Sequence, residues 1–338
     1  MSKDIDQKEN KKPKTRNFKN TTNRLRKGNE RHLSNRICLE WDLDNQLVSE
    51  PYEDIVEHAD LDEIKEILSQ SQTGKALLEN AKGINIHFDP QISVSQYYPR
   101  EKVITLNSNF PKAEMVQLLA RELRFVWQKK EENLINPLDY DPEEAILVNR
   151  AQRADALMVS VKIAWELKLN GENLIWDHMI RSPLSDMTRV FEIHAQADFR
   201  SLNNGEASRA VYDKWFEDNR TKAHDKRIIH QMLLDDTRQA LVENKGQKKT
   251  IYDALSKLGK MPFGENYMNV SNSRHPADPL YGVIEDRSNA NFLWFIKFER
   301  NFQEKERQML ETSIEKSAEI INFSQRAKER TKKDEMHI

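Results

Sequence analysis

Two stretches of helical periodicity, close together in the chain, constrain this sequence more than any other feature. From about Ala113, the residues Met115, Leu118, Leu119, Leu123, Val126 and Trp127 fall on one helical face. From about Pro142 to Leu169, Leu147, Ala151, Ala154, Met158, Val161 and Trp165 do the same, and Gly171 follows as a C-cap. Each stripe needs an apolar surface to pack against. One lies just upstream, where the period drops to two. Ile84, Ile86 and Phe88 alternate with polar residues, the pattern of a half-buried strand. His87 falls on the opposite side of that strand and reads as a surface residue. Ile92 to Tyr98, closed by Pro99, and Lys102 to Asn107 read as a second and a third strand. Short helices are expected over 60–68 and 74–81, and further ones near 185–200, 206–218 and 222–243. The fold class expected is α+β and helix-dominated: a small sheet packed on the first long helix, with additional C-terminal helices.

The flanks differ in composition. Residues 1–36 hold twelve Lys or Arg and four acids, a net charge of 12 − 4 = +8, with few apolar residues and no period. Such a segment cannot bury enough surface to offset its ordering entropy, so 1–36 reads as a disordered basic arm. Residues 37–245 read as one folded domain. Residues 246–290 are rich in Pro and Gly and read as a loop. Residues 291–338 read as a C-terminal helix with a charged tail. That helix opens on Phe292, Trp294, Phe295, Phe298 and Phe302, and the 295, 298, 302 spacing suggests that this face docks on the core.

Bulk composition excludes several classes. The formal net charge of the whole chain is −2, so it is no polyanion binder by composition. Cys38 is the single cysteine, which rules out an intramolecular disulfide and a thiolate metal site. No apolar leader and no membrane-length apolar run is visible, so the expectation is a soluble cytoplasmic protein without membrane contact. No phosphate-cradling glycine loop and no nucleophile elbow appears. No two of the nine histidines are four residues apart, and a metal site rebuilt from His178 and His194 is a remote reading.

The informative motif lies on the first long helix, in Leu118-Leu-Ala-Arg-Glu-Leu-Arg-Phe-Val-Trp-Gln128. In H-E-x-x-H helices, two histidines one turn apart grip Zn²⁺ and the glutamate serves as general base. Here the register is Arg121-Glu122-x-x-Phe125, with the glutamate kept and both histidines absent. The bland reading is an ordinary amphipathic helix. Against it, Glu122 lies beside Met115, Leu118 and Val126, where a buried carboxylate without a partner costs several kcal/mol.

The order of elements, the Tyr-Tyr-Pro stretch and the strand ending in Leu-Asn resemble a family of zincin-like metallopeptidase domains whose helix reads close to L-A-H-E-L-R-H-x-W-Q. Leu119, Ala120, Glu122, Leu123, Arg124, Trp127 and Gln128 match that pattern. Asn149 to Ala156 and Ala164 to Lys168 resemble the family's second long helix, in which a glutamate before A-D-A would be the third ligand; this chain has Arg153 there. The resemblance covers roughly residues 70–235 and implies that 37–245 is a zincin-like domain. It further implies that Glu122 is a vestigial general base, that Arg121, Phe125 and Arg153 are former metal-ligand positions, and that the zinc of active relatives is not held. Arginine offers no lone pair and phenylalanine no donor atom. An arginine in place of the metal should face Glu122, with Arg153 the better candidate and Arg121 the other.

The function expected is a pseudoenzyme acting as a binding or scaffold protein through the former peptide cleft, with a protein or peptide partner and no cofactor. Other readings are an active hydrolase or metallopeptidase with substituted ligands, and a nucleic-acid-associated protein using residues 1–36.

Overall fold

The computed structural model describes residues 60–134, 136–217, 220–234, 248–264, 266–270, 274–275 and 277–335. The 1–36 segment, expected as a basic arm, and Cys38 lie outside the described residues, as does the 235–243 end of the helix expected over 222–243.

Helices α1 (Leu61–Ser69) and α2 (Gln72–Asn80) come first. A Cβ at Gly74 would approach the Leu68 carbonyl oxygen to 2.4 Å, so glycine is what lets α2 turn tightly off the end of α1. Three strands follow: β1 (Asn85–Phe88), β2 (Gln96–Tyr98) and β3 (Val103–Leu106). The sheet order is β1-β3-β2, with β1 parallel and β2 antiparallel to β3, and Tyr97 opposite Ile104. Ile104 and Leu106 are buried, while His87 is exposed on the far side as its place in the alternation implied.

Helix α3 (Lys112–Lys130) packs on this sheet and against α4 (Pro142–Leu169). Helices α5 (Leu174–Arg181), α6 (Ser185–Ala197), α7 (Ser201–Asn204), α8 (Glu206–Phe216) and α9 (Arg220–Leu234) pack around α4. The fold is therefore helix-dominated α+β with one small mixed sheet. Helix α4 departs from its single expected stripe. Twenty-three of its 28 residues are buried, so it is the central post and not a surface helix. Its polar residues are buried because other elements satisfy them. The half-buried Glu166 is satisfied likewise, accepting from Ser71 Oγ at 2.6 Å, Thr73 N at 2.8 Å and Thr73 Oγ1 at 2.6 Å, which ties the start of α2 to α4.

Within 246–290, α10 (Lys248–Leu258), a 3₁₀ turn (Tyr267–Asn269) and α11 (Pro279–Gly282) take up much of the stretch read as loop. Ile251, Leu255 and Leu258 are buried in the core; residues 248–258 hold no Pro or Gly, and the Pro/Gly-rich part of the stretch begins only at Gly259. The last helix, α12 (Arg287–Glu335), corrects another expectation. It docks through Leu293 and Ile296, which join Ile146, Ile228 and Met232 in a small cluster. Phe292, Trp294, Phe295, Phe298 and Phe302 are exposed, at 45 to 66% of their full area. Their spacing marked a face correctly, but a different face meets the core. Among the described residues no helix is long and apolar enough to cross a membrane.

Candidate functional site

The motif residues of α3 lie in the seam between that helix and β2. Arg121 and Glu122 are adjacent, and side chains next to each other on a helix ordinarily diverge. Here both turn toward the edge strand. In an antiparallel pair, alternate residues direct their N–H and C=O away from the partner strand. Tyr97 is one of these, and its outward N–H donates to Glu122 Oε2 at 2.7 Å. Two residues earlier, the Ser95 carbonyl accepts from Arg121 Nη2 at 2.9 Å. The two side chains then close on each other: Arg121 donates to Glu122 Oε1 from Nε at 2.8 Å, with Nη2 at 2.7 Å from the same oxygen. The pair thus offers β2 one donor and one acceptor, as a neighbouring strand would.

All four motif positions are closed to solvent. Glu122 and Phe125 have no exposed surface, and Arg121 and Arg153 are nearly as buried. Burial pushes the Glu122 carboxyl above the usual glutamate range. The Arg121 charge and hydrogen bond, the Tyr97 N–H and the Arg153 charge oppose that rise. The arginine hydrogen-bonded to Glu122 is therefore Arg121, and the charge of Arg153 on α4 also favours the Glu122 carboxylate. Phe125 sits in the main core cluster among apolar residues.

A second buried pair lies one turn further along α3. Arg124 donates to Asp155 of α4 from Nε at 2.7 Å and from Nη2 at 2.9 Å. Its remaining hydrogens reach the carbonyl oxygens of Leu258 and Lys260, at 2.8 and 3.0 Å, where α10 ends. Asp155 also accepts from Gln128 Nε2 at 2.5 Å and from the Tyr267 hydroxyl at 2.6 Å. Asp155 and Tyr267 were not singled out from sequence. The available signal was a carboxylate between two alanines, Ala154 and Ala156, on a helix otherwise buried all round. A third pair, Arg150 with Asp225, ties α4 to α9.

Arg121, Phe125 and Arg153, at the three positions that the resemblance pairs with zinc ligands, do not fit a zinc ion. Arg121 and Arg153 carry no lone pair, Phe125 has no donor atom, and a catalytic zinc needs about three protein ligands. The kept carboxylate is already filled by Arg121 and Tyr97 N–H. Among the described residues no three His, Cys, Asp or Glu side chains gather into a metal-holding group. His194 is exposed on α6 and His178 lies on α5.

Over residues 35–269 the chain matches the model of a family described as "putative metallopeptidase family (DUF6782)". That span is well over half of the 338 residues, and the chain belongs to this family. No curated protein and no solved structure matches the chain.

Proposed function

We propose that this chain is a zincin-like member of its metallopeptidase family that no longer hydrolyses peptides and serves instead as a binding or scaffold protein. One observation carries the reading: the Arg121–Glu122 pair fills the place where a metal and its activated water would have to sit. A general base must reach a water that can attack a substrate. Glu122 is sealed from solvent and spends both oxygens on Arg121 and the Tyr97 N–H. The same contacts bear on where a partner would bind. A peptide adding to a sheet edge pairs with outward backbone groups. The Ser95 C=O and the Tyr97 N–H are taken by α3, so this reading moves the binding role away from the former cleft along β2.

The test is hydrolysis of an unfolded protein substrate, with zinc supplied and then with a chelator added. No chelator-sensitive cleavage is expected. Zinc-dependent turnover that Glu122→Gln abolishes in a folded variant would overturn the proposal and restore an active hydrolase with substituted ligands.

A further inference from the structure

The small sheet has two edges, and the closed site uses only one of them. Along β2, α3 takes the Tyr97 N–H and the Ser95 carbonyl. The other edge is β1. The odd-numbered residues of this stretch turn their backbone toward β3: Asn85 N–H donates to the Lys102 carbonyl and Asp89 N–H to the Leu106 carbonyl, both at 2.9 Å. The even-numbered Ile86 and Phe88 direct N–H and C=O the other way. Among the described residues no strand pairs along that side. Such an edge is a template for one more extended segment, and native proteins cover it.

The side chains of β1 point to the same need. Ile86 stands beside Ile104 and Phe88 beside Leu106, on the core face of the sheet. Ile104 and Leu106 are fully buried, but Ile84, Ile86 and Phe88 are covered only in part. On the opposite face Asn85 and His87 are exposed. A strand that fits against β1 is therefore apolar on one face and polar on the other, with a period of two.

One segment of this chain has that pattern. In Ile37-Cys-Leu-Glu-Trp-Asp-Leu43 the large apolar residues take every second place, and Cys38, Glu40 and Asp42 fill the others. Residues 37–43 lie outside the described residues and are read from sequence alone. The family match begins at residue 35, so this run belongs to the family's domain. Residues 44–59 join it to the start of α1 and at full extension span about 50 Å, which lets it approach β1 in either direction. A segment tethered in the same chain also acts at a high effective concentration, which favours it over a separate peptide for the same edge.

We propose that residues 37–43 add to the β1 edge as a fourth strand, with Ile37, Leu39, Trp41 and Leu43 on the core face beside Ile86 and Phe88. Both edges of the sheet are then closed, β2 by α3 and β1 by the chain's own segment, and a partner binds elsewhere on the molecule. This assignment does not rest on the loss of hydrolysis. Cys38, the single cysteine, reports on it directly. It falls on the face of Asn85 and His87, and opposed residues on neighbouring strands have Cβ atoms about 4.5–5.5 Å apart, close to disulfide reach. The full chain is made with Asn85→Cys, His87→Cys or Asp89→Cys, and with Lys75→Cys on α2 as the control. On mild oxidation at least one of the first three should form a disulfide with Cys38 within the chain, seen by peptide mass, and Lys75→Cys should not. Leu39→Asp/Trp41→Asp should lower the melting temperature by roughly 5 °C or more, and Glu40→Lys/Asp42→Lys by roughly 1 °C at most. The proposal is overturned if Cys38 stays reduced in all three variants, or if it reacts as readily with Lys75→Cys. A disulfide that joins two chains gives the edge to a second copy and overturns it as well. So does an unchanged melting temperature in Leu39→Asp/Trp41→Asp.

Discussion

Two buried arginine–carboxylate pairs stand one turn apart on α3, and they are built differently. Arg124 reaches across to α4, and Asp155 there gathers Arg124 and Gln128 from α3 and Tyr267 from the 3₁₀ turn. Arg121 pairs with its chain neighbour Glu122, and the two also bond backbone groups beside one edge strand. The first is a clamp holding α3, α4 and the end of α10 together. The second covers the edge of the sheet at β2. The difference teaches that burial and ion pairing alone do not tell the two pairs apart. What tells them apart is what holds the carboxylate: a chain neighbour and a backbone N–H for Glu122, side chains from another helix and a distant turn for Asp155.

The comparison can be broken by substitution. The largest effect should come from Asp155→Ala, which strands the Arg124 charge and leaves the Gln128 amide and the Tyr267 hydroxyl without their shared acceptor. Denaturant unfolding should show a loss of about 3–5 kcal/mol. Arg121→Met should cost less, about 1–3 kcal/mol, because Glu122 can take up a proton and keep the Tyr97 bond. That difference has a pH signature. The folded-state Glu122 carboxyl is already raised, and losing Arg121 raises it further. Where the folded state holds a proton that the unfolded state has released, stability falls as pH rises. The deficit of Arg121→Met relative to wild type should therefore be largest at neutral pH and shrink toward the ordinary glutamate range. A deficit that grows on acidification would contradict the assignment. Tyr267→Phe should lose about 1.5 kcal/mol, the lower end for a hydrogen bond to a charged acceptor. Smallest of all should be Arg121→Met/Glu122→Leu, within about 1 kcal/mol of wild type, because neither charge is then stranded. If the double variant is as unstable as Asp155→Ala, the two pairs are both clamps and the contrast fails.

Much of this was legible in the sequence because it is local. Periodicity gave α3, α4 and the alternating β1, and the misplaced Glu122 stood out on an apolar face. The identity of its partner was not legible. Choosing Arg121 over Arg153 depends on the Ser95 carbonyl and the Tyr97 N–H, brought in from 26 and 25 residues upstream. The Asp155 network was hidden for the same reason, since Tyr267 lies 112 residues away. On α12, spacing revealed an aromatic stripe but not which side meets the body. Two residues, Leu293 and Ile296, decide that, and only the positions of α4 and α9 show why.

The central claim is that Arg121 has taken the place of a metal beside Glu122. The most direct measurement is zinc per chain after equilibration with zinc and gel filtration, for wild type and for Arg121→His/Phe125→His/Arg153→Glu. Wild type should retain well below one zinc per chain. The triple variant, which restores ligands at i and i+4 and a third from α4, should retain a larger fraction. One zinc held tightly by the unmodified chain, and lost on Glu122→Ala, would contradict the account.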